Sequence, residues 1–410
     1  MDNPLQLSFV NFKKGAYIIV EGKQNADRFF IIRSGHVRVS KEVEVVEEDT
    51  GNMLGPGDFF GVIATMSSHN HIETAQAMED CVVISVYREQ FGLLIERNTP
   101  VAMKIIMAFS RKMRYLDEAL MRQTNKNHME ADPSFLFKLG EFYAKQSAYN
   151  LAYYSYYQYL KFVPSGPNAA TARDRLMKIQ PYSHAVYLDG STEGLTRYYP
   201  KDTMIFSECM PGSELYIIQK GSVKITKLVG DSEVLLAVLK PGDIFGEMSI
   251  LENKPRSANA IANDDAYLLA VNKANFEGMV KTQPQIVTRL TTLLSERLWF
   301  IYKQLANTII SDPLGRVYDT FSMTLEKNRV TLRAGGAFVF DYGPKELQGM
   351  IGLTGADGNL IVQRLLENNK FKIVDNKFHV SDLAEIEKQC DYFRKMTKID
   401  RSRRESQGAH

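Results

Sequence analysis

The sequence predicts a multidomain α+β protein that contains two small β-barrels of the jelly-roll type, a helical insert and long helices. Three observations lead to this prediction: a repeated sequence motif, a stripe of apolar residues with helical period after each repeat, and a different helical pattern between the repeats. The length of 410 residues fits about two to four globular domains.

The repeat is clearest in a turn motif. Gly57-Asp58-Phe59-Phe60-Gly61 recurs as Gly242-Asp243-Ile244-Phe245-Gly246, at an offset of 185 residues. The same offset continues without a gap to Ser110 and Ser295. Such self-similarity over a whole segment predicts two copies of one domain.

Each copy has the pattern of short strands followed by a long helix. Residues 222–226 alternate polar and apolar side chains, and Pro-Gly-Asp turns at 56–58 and 241–243 separate strands without intervening helices. The helical stripes that follow are Ile105, Ile106, Phe109, Met113, Leu116 and Leu120 in the first copy, and Leu290, Leu294, Leu298, Ile301 and Leu305 in the second. Because such stripes must be buried, we expect a homodimer through this dimerisation-type helix, or an equivalent pairing inside one chain.

The segment between the copies has the spacing of one tetratricopeptide repeat. The residues that fit this spacing are Leu136, Leu139, Gly140, Tyr143, Ala152, Tyr156, Tyr159 and Pro164. A third helix, Ala169 to Ile179, would cover the pair of helices. A lone repeat buries too little apolar surface to be stable by itself. We therefore expect a structural spacer at residues 126–182, with binding of a protein partner as the alternative.

Composition excludes several classes of protein. The 50 Lys and Arg residues nearly balance the 48 Asp and Glu residues, which argues against a disordered chain or one that coats nucleic acid. The three cysteines form no CxxC pair, so a disulfide scaffold, a zinc knuckle and an iron–sulfur cluster are unsupported. No apolar run approaches the ~20 residues that span a bilayer. We expect a cytoplasmic protein without a membrane partner.

Residues 245–258 carry the most chemical information. Gly246 permits close approach of a ligand to the backbone, and the helical turn after it presents N–H groups to an anion. Arg256 supplies a guanidinium for a phosphate, Ser257 adds a hydroxyl, and Glu247 is an acceptor suited to a sugar hydroxyl. This combination predicts a site for a nucleotide monoester.

These residues resemble the phosphate-binding cassette of cyclic nucleotide-binding domains, and residues 185–385 resemble the family of the cyclic-AMP receptor protein and FNR. The resemblance implies that Glu247 binds the ribose 2′-hydroxyl and that Arg256 pairs with the cyclic phosphate. The candidate ligand contacts are Gly246, Glu247, Met248, Ser249, Arg256, Ser257, Ala258, Arg297 and Tyr302. The family's adenine-contacting Thr-Ser pair falls on Ile301-Tyr302, so the resemblance does not determine which base the ligand carries. Cyclic AMP is expected, with cyclic GMP or a cyclic dinucleotide as alternatives.

In the first copy the same positions carry other residues. Val62, His71 and Ile72 replace the carboxylate, the guanidinium and the hydroxyl, so we expect a degenerate barrel without a ligand. In a strand, His69, His71 and Glu73 would share one face, as in half of a cupin metal site. The second half of such a site is missing, so we expect neither a metal nor an enzyme.

Residues 308–385 resemble the winged helix of the same family. The first helix of a helix-turn-helix is expected at Lys345–Met350, the recognition helix at Ala356–Asn368 and the wing at 371–380. The candidate DNA-binding residues are Thr354, Asn359, Gln363 and Arg364. Residues 386–410 are expected to form a basic tail, which is either solvated or adds a nonspecific grip on DNA.

Base reading by this module is weakened by substitution. The family's base-contacting Arg, Glu and Arg fall on Gly355, Ala356 and Leu360. The sequence therefore predicts five segments (1–125, 126–182, 183–307, 308–385 and 386–410) and a cyclic nucleotide-responsive transcription regulator. The alternative is a cyclic-nucleotide-sensing adaptor that binds proteins rather than DNA.

Overall fold

The computed structural model describes residues 7–22, 26–42, 45, 52–123, 132, 134–183, 196–229, 232–252, 254–330, 334–353 and 355–407. The chain divides into two compact units. One comprises Met1–Leu7 with Val86–Ser295, and the other comprises Ser8–Ser85 with Glu296–His410. Each unit therefore combines parts of both copies. The domain boundaries predicted from the sequence differ from the boundaries of the two units. The reason is that each long helix leaves the unit of its own barrel.

The first barrel consists of two antiparallel sheets and one short helix. Its elements are β1 (Ser8–Phe12), β2 (Tyr17–Ile19), β3 (Arg28–Ser34), β4 (Val37–Ser40), β5 (Asn52–Leu54), β6 (Phe59–Phe60), α1 (Val62–Ser67), β7 (Thr74–Ala77) and β8 (Cys81–Tyr87). The strand orders are β1-β8-β3-β6 and β2-β7-β4-β5. Apolar residues that alternate along β3 and β8, such as Ile32 and Val83, fill the space between the sheets.

The second barrel repeats this topology strand for strand. Its elements are β9 (Thr196–Tyr199), β10 (Met204–Phe206), β11 (Glu214–Lys220), β12 (Val223–Val229), β13 (Ser232–Leu239), β14 (Ile244–Phe245), α7 (Glu247–Glu252), β15 (Asn259–Ala262) and β16 (Ala266–Asn272). The strand orders are β9-β16-β11-β14 and β10-β15-β12-β13. Gly35 and Gly221 occupy equivalent turns with φ of 85° and 81°, where a Cβ would lie 2.8 Å or less from a backbone oxygen. The two copies thus share their turn geometry as well as their sequence pattern.

Helices follow each barrel and connect the two. They are α2 (Phe91–Arg97), α3 (Thr99–Gln123), α4 (Phe135–Lys145), α5 (Tyr149–Phe162), α6 (Ala169–Ile179), α8 (Lys273–Thr282) and α9 (Pro284–Thr308). The apolar stripes of α3 and α9 are buried, including Ile105, Phe109, Leu294 and Leu298. Among the described residues, no helix is long and apolar enough to span a membrane.

The helical insert between the copies packs on the second barrel. Helices α4, α5 and α6 share a core rich in tyrosine with Met204, Leu228 and Ile261 of that barrel. The close approach of α4 and α5 depends on Gly140, because a Cβ there would lie 2.6 Å from the buried ring of Tyr156. Gly140 therefore allows α4 and α5 to lie close together.

The C-terminal module is built around an aromatic core. Its elements are α10 (Pro313–Lys327), β17 (Phe338–Val339), α11 (Pro344–Met350), α12 (Gly355–Leu366), β18 (Phe371–Val374), β19 (Lys377–Val380) and α13 (Leu383–Gln407). The Phe321 ring stacks on Phe371 and meets Phe378 edge-on. The structure differs from the predicted basic tail here. Residues 383–407 form α13, because its apolar residues Ile386 and Phe393 pack into this core.

Gly140→Ala tests the close approach within the insert. Although alanine favours a helix over glycine by about 1 kcal/mol, the buried Tyr156 ring leaves its Cβ no space, and overpacking costs typically about 1–3 kcal/mol. We expect a lower thermal unfolding midpoint. Gly278→Ala in α8 is the control, because nothing lies within 4 Å of its Cβ, and it should raise the midpoint slightly. An unchanged midpoint for Gly140→Ala would contradict this packing.

Candidate ligand-binding site in the second barrel

The candidate site begins where β14 turns into α7. Gly246 joins the two elements at φ +77°, a conformation that other residues rarely adopt. A Cβ at this position would lie 2.5 Å from the Nη1 atom of Arg256. Glycine therefore allows both the turn and the close approach of the guanidinium to the backbone.

The Arg256 side chain lies inside the barrel with only 6% of its surface exposed. Its Nη1 donates to the carbonyl oxygen of Gly246 and to Oγ of Ser249, both at 2.7 Å, and its Nη2 donates to the carbonyl oxygen of Glu214 at 2.6 Å. The guanidinium also lies 4.0 Å from the centre of the Phe206 ring. Burial lowers the pKa of Arg256 from its usual value, because the charged form loses water.

No carboxylate accepts a hydrogen bond from Arg256 among the described residues. Its acceptors are two backbone carbonyls and one hydroxyl, and its buried Nε has no acceptor in the described part of the chain. Glu247 is also buried, at 2% exposure, and its charge acts on Arg256 without such a bond. A buried cation without a hydrogen-bonded anion is costly, so an anionic ligand would stabilise this arrangement.

The other predicted contacts fall into two groups. Met248, Ser249 and Ala258 are buried around Arg256, whereas Ser257 is half-buried. Arg297 and Tyr302 belong to the other compact unit. There the Tyr302 ring is contacted by Lys41 of the first barrel, whose Nζ lies 3.0 Å from the ring centre. The structure thus does not bring these two residues together with Arg256 in one unit, because α9 continues into the next unit.

The segment 209–212 forms one wall of the site that the sequence does not predict. The backbone N–H of Arg256 donates to Met210, and that of Cys209 donates to Arg256. A Cβ on Gly212 would lie 2.5 Å from the Arg256 Nε and 2.3 Å from the Ser249 Oγ. Pro211-Gly212 is a turn signal in the sequence, but only the paired backbone shows what the turn approaches.

This wall also contacts the helical insert. The Tyr154 hydroxyl of α5 lies 3.3 Å from the sulfur of Met210. Tyr143 of α4 donates to the Glu233 carboxylate of β13 at 2.7 Å. The insert is therefore joined to the second barrel at the segment next to Arg256.

Comparison with known proteins assigns the two barrels. The family model for the cyclic nucleotide-binding domain matches residues 9–98 and 196–283. The chain is 28% identical to the cyclic AMP receptor protein of Thermus thermophilus over 198 residues, which are 47% of this chain and 86% of that protein. The chain therefore contains two cyclic nucleotide-binding domains, and its relatives support the resemblance to the family of the cyclic-AMP receptor protein and FNR. The recognition made from the sequence is confirmed, and each barrel is a cyclic nucleotide-binding domain.

Two further relatives extend the comparison. A CRP-like cAMP-activated global transcriptional regulator of Mycobacterium tuberculosis is 33% identical over 120 residues, which are 29% of this chain and 54% of that protein. The chain thus spans about half the length of this relative. A cAMP-dependent protein kinase regulatory subunit of Eremothecium gossypii is 24% identical over 268 residues, which are 65% of this chain and 43% of that protein.

In the first cyclic nucleotide-binding domain, other side chains occupy the positions of the cassette. Val62 and Ile72 are buried in place of the carboxylate and the hydroxyl, and burial lowers the pKa of His71. The Glu73 carboxylate accepts a hydrogen bond from the Gly61 N–H at 2.8 Å. The backbone N–H at this turn is thus bonded to a carboxylate of the same domain. The second domain has Ala258 at the position that corresponds to Glu73.

The histidine-rich metal site considered from the sequence does not form in this domain. Residues 69–73 precede β7, so the side chains of His69, His71 and Glu73 do not share one face of a strand. The His69 ring instead stacks on Trp299 of α9, with ring centroids 4.0 Å apart and an interplanar angle of 20°. Among the described residues, no three potential metal-ligating side chains come together.

The stack of His69 on Trp299 predicts a pH-dependent fluorescence signal. Burial, together with repulsion by Arg329 and Lys303, lowers the pKa of His69 from 6.5 to about 4. The neutral ring therefore contributes stability that is fully present above pH 6.5 and is lost as the pH falls towards 4. Trp299 is the one tryptophan of the chain, so its emission should change with a midpoint near pH 4.

His69→Gln is the matched variant for this titration. It removes the titrating group and should abolish the transition near pH 4 in the Trp299 emission. A transition centred near pH 6.5 in the unsubstituted chain, or one that persists in the variant, would contradict the assigned burial of His69.

Proposed function

We propose that this chain is a cyclic nucleotide-responsive transcription regulator. The second domain binds a cyclic nucleotide and residues 308–385 act as a winged helix that binds DNA. The observation that carries this proposal is the buried guanidinium of Arg256, which has no hydrogen-bonded carboxylate among the described residues. No catalytic group enters the proposal.

The proposed ligand contacts follow the geometry of the cassette. The cyclic phosphate lies against Arg256 and the first turn of α7, where backbone N–H groups and the guanidinium both favour an anion. Glu247 accepts the ribose hydroxyl, and Ser257 and Ala258 border the phosphate. Cyclic AMP is the expected ligand because the names of the Thermus and Mycobacterium relatives include it. Cyclic GMP and cyclic dinucleotides are the alternatives. The first domain is proposed to be ligand-free.

Arg256→Ala tests the proposed ligand site. Loss of several charge-assisted hydrogen bonds to the phosphate should weaken binding of cyclic AMP by about 100-fold or more. Isothermal titration calorimetry with cyclic AMP, cyclic GMP and cyclic di-GMP measures this effect and identifies the base. Arg289→Ala is the matched control, because Arg289 is exposed and pairs with Asp243 on the surface. If Arg256→Ala retains the affinity of the unsubstituted chain, the assignment of the cassette is wrong.

Helices α11 and α12 and the β18–β19 hairpin support the winged-helix part of the proposal. Asn359 and Gln363 are exposed on α12, and the Asn359 amide oxygen accepts from Gln348 at 3.0 Å. Arg364 lies 3.5 Å from the Asp312 carboxylate. Thr354, the fourth predicted DNA contact, lies outside the described residues. In this proposal Asn359 and Gln363 read bases, and the exposed Lys372 of the hairpin contacts a phosphate.

Salt dependence tests DNA binding in the presence of saturating cyclic AMP. Affinity for a random 30-base-pair duplex, measured by fluorescence anisotropy, should fall by about 10- to 100-fold between 50 and 200 mM salt, as expected for a few phosphate contacts. Lys372→Ala should reduce the logarithmic salt slope by about one, whereas Lys145→Ala on the exposed side of α4 should not. Gln363→Ala should relax base preference in a selection from random duplexes. If the chain does not bind the duplex at 50 mM salt, the proposal that it is a transcription regulator is overturned.

A signalling adaptor is the second candidate function. Leu360 on α12 and Met350 on α11 are 56% and 49% exposed, which suits contact with a protein better than contact with DNA. The similarity to a protein kinase regulatory subunit extends over 268 residues, 65% of this chain. In this alternative the insert and the C-terminal module bind proteins, and the chain binds cyclic nucleotide but no duplex.

A further inference from the structure

The helix that follows the first barrel contacts the cassette of the second barrel. Helix α3 packs against α7 within the unit that contains the second barrel. On α3, the half-buried Arg114 directs both Nη1 and Nη2 to the carbonyl oxygen of Pro255, each at 3.4 Å. Pro255 immediately precedes Arg256. The backbone that carries the phosphate-binding guanidinium is therefore held by a residue from the first half of the chain.

The other unit contains the reverse arrangement. There the end of α9, which follows the second barrel, lies against the first barrel. The Trp299 ring stacks on His69, and the Tyr302 ring lies beneath the Lys41 ammonium. Tyr302 is buried at 4% exposure, so this contact is part of the core of its unit.

The two contacts are related by the offset of the internal repeat. Arg114 and Trp299 are 185 residues apart and occupy the same position on α3 and α9. Pro255 corresponds to Asn70, the neighbour of His69. One position on each helix thus meets the same loop of the opposite barrel, although the side chains have different chemistry. Two unrelated chance contacts would not be expected to share this relation.

We propose that the first half of the chain serves as a built-in partner for the second half, with Arg114 as a positioning residue for the cyclic nucleotide site. This proposal rests on the proposed function of the second domain. Arg114 holds the loop before Arg256, so that the guanidinium meets the phosphate without rearrangement. A degenerate first domain then has a reason to remain in the chain, because its helix completes the site of the second domain. One chain is a complete sensor, and ligand binding needs no second copy.

Variants of α3 in the full chain test the role of Arg114. Arg114→Ala should weaken cyclic AMP binding, measured by calorimetry, by about five- to twentyfold, since a charged donor to the loop is lost. Arg114→Lys, which keeps one cationic donor, should restore part of the affinity. Arg111→Ala, on the exposed side of the same helix, should leave the affinity within about twofold. The ligand-free thermal midpoint of Arg114→Ala should match that of Arg111→Ala, which separates positioning from stability.

The state of the chain in solution tests the built-in partner. Light scattering should find that the chain with one cyclic AMP bound is a monomer. Its affinity for cyclic AMP should be the same at low and at high protein concentration. Affinity that rises with protein concentration would overturn the proposal. The proposal would also be overturned if Arg114→Ala bound ligand as tightly as the unsubstituted chain while Arg256→Ala abolished binding. In that case the proposed function would still hold, but Arg114 would have no positioning role.

A ligand-independent measurement distinguishes the two proposals further. In the monomeric chain, His69→Ala should change the emission of Trp299, because the stack lies within one chain. Unchanged emission would overturn the internal arrangement whether or not ligand binds. If no cyclic nucleotide binds the unsubstituted chain, the proposed function fails, and Arg114 loses its role with it.

Discussion

The burial of one guanidinium organises the second cyclic nucleotide-binding domain. Arg256 donates to Gly246, Ser249 and Glu214, and so links the start of α7 to β11 and to its own loop. These bonds satisfy part of the hydrogen-bonding capacity of the side chain, but within the described ranges its charge has no hydrogen-bonded carboxylate. A domain that maintains a buried cation in this way is poised for an anion, because the desolvation cost is already incurred before the ligand arrives.

The elements around this charge connect it to the rest of its unit. Segment 209–212 pairs with the backbone of Arg256 and is contacted by Tyr154 of the insert. On the other side, α3 packs against α7. A shift of the cassette on ligand binding would therefore reach both the insert and α3 through direct contacts. The differential contacts of ligand with Arg256 and Glu247 would supply the free energy for such a shift.

The two domains share one fold but differ in the residues of the cassette. The first domain keeps the strand order, the turn glycines and the helix after the barrel, but its cassette holds apolar residues and a carboxylate bonded to Gly61. Its fold is preserved because packing between sheets depends on alternating apolar residues, and these are independent of the cassette. The shared fold therefore does not depend on the residues of the cassette.

Local patterns in the sequence predicted much of the structure. The repeated motif predicted two barrels of one type, the helix at Ala169–Ile179 has the predicted ends, and Glu247 and Arg256 are both buried beside the turn at Gly246. Turn chemistry and apolar periodicity act over a few residues, so they can be read directly. The helix at Leu383–Gln407 is not evident from the sequence, because scattered apolar residues such as Ile386 and Phe393 become buried only against the core of the C-terminal module.

The barrel that each long helix contacts is determined by packing between distant parts of the chain. An apolar stripe states that a helix must be buried, but it does not specify the surface that covers it. Tyr302 was therefore assigned to the second site from the sequence, although its ring lies against Lys41 of the first barrel. Likewise, nothing local marks Arg114 as a neighbour of Pro255, since 141 residues separate them. The chemistry of the site was encoded in a short segment, whereas its walls depend on contacts between distant parts of the chain.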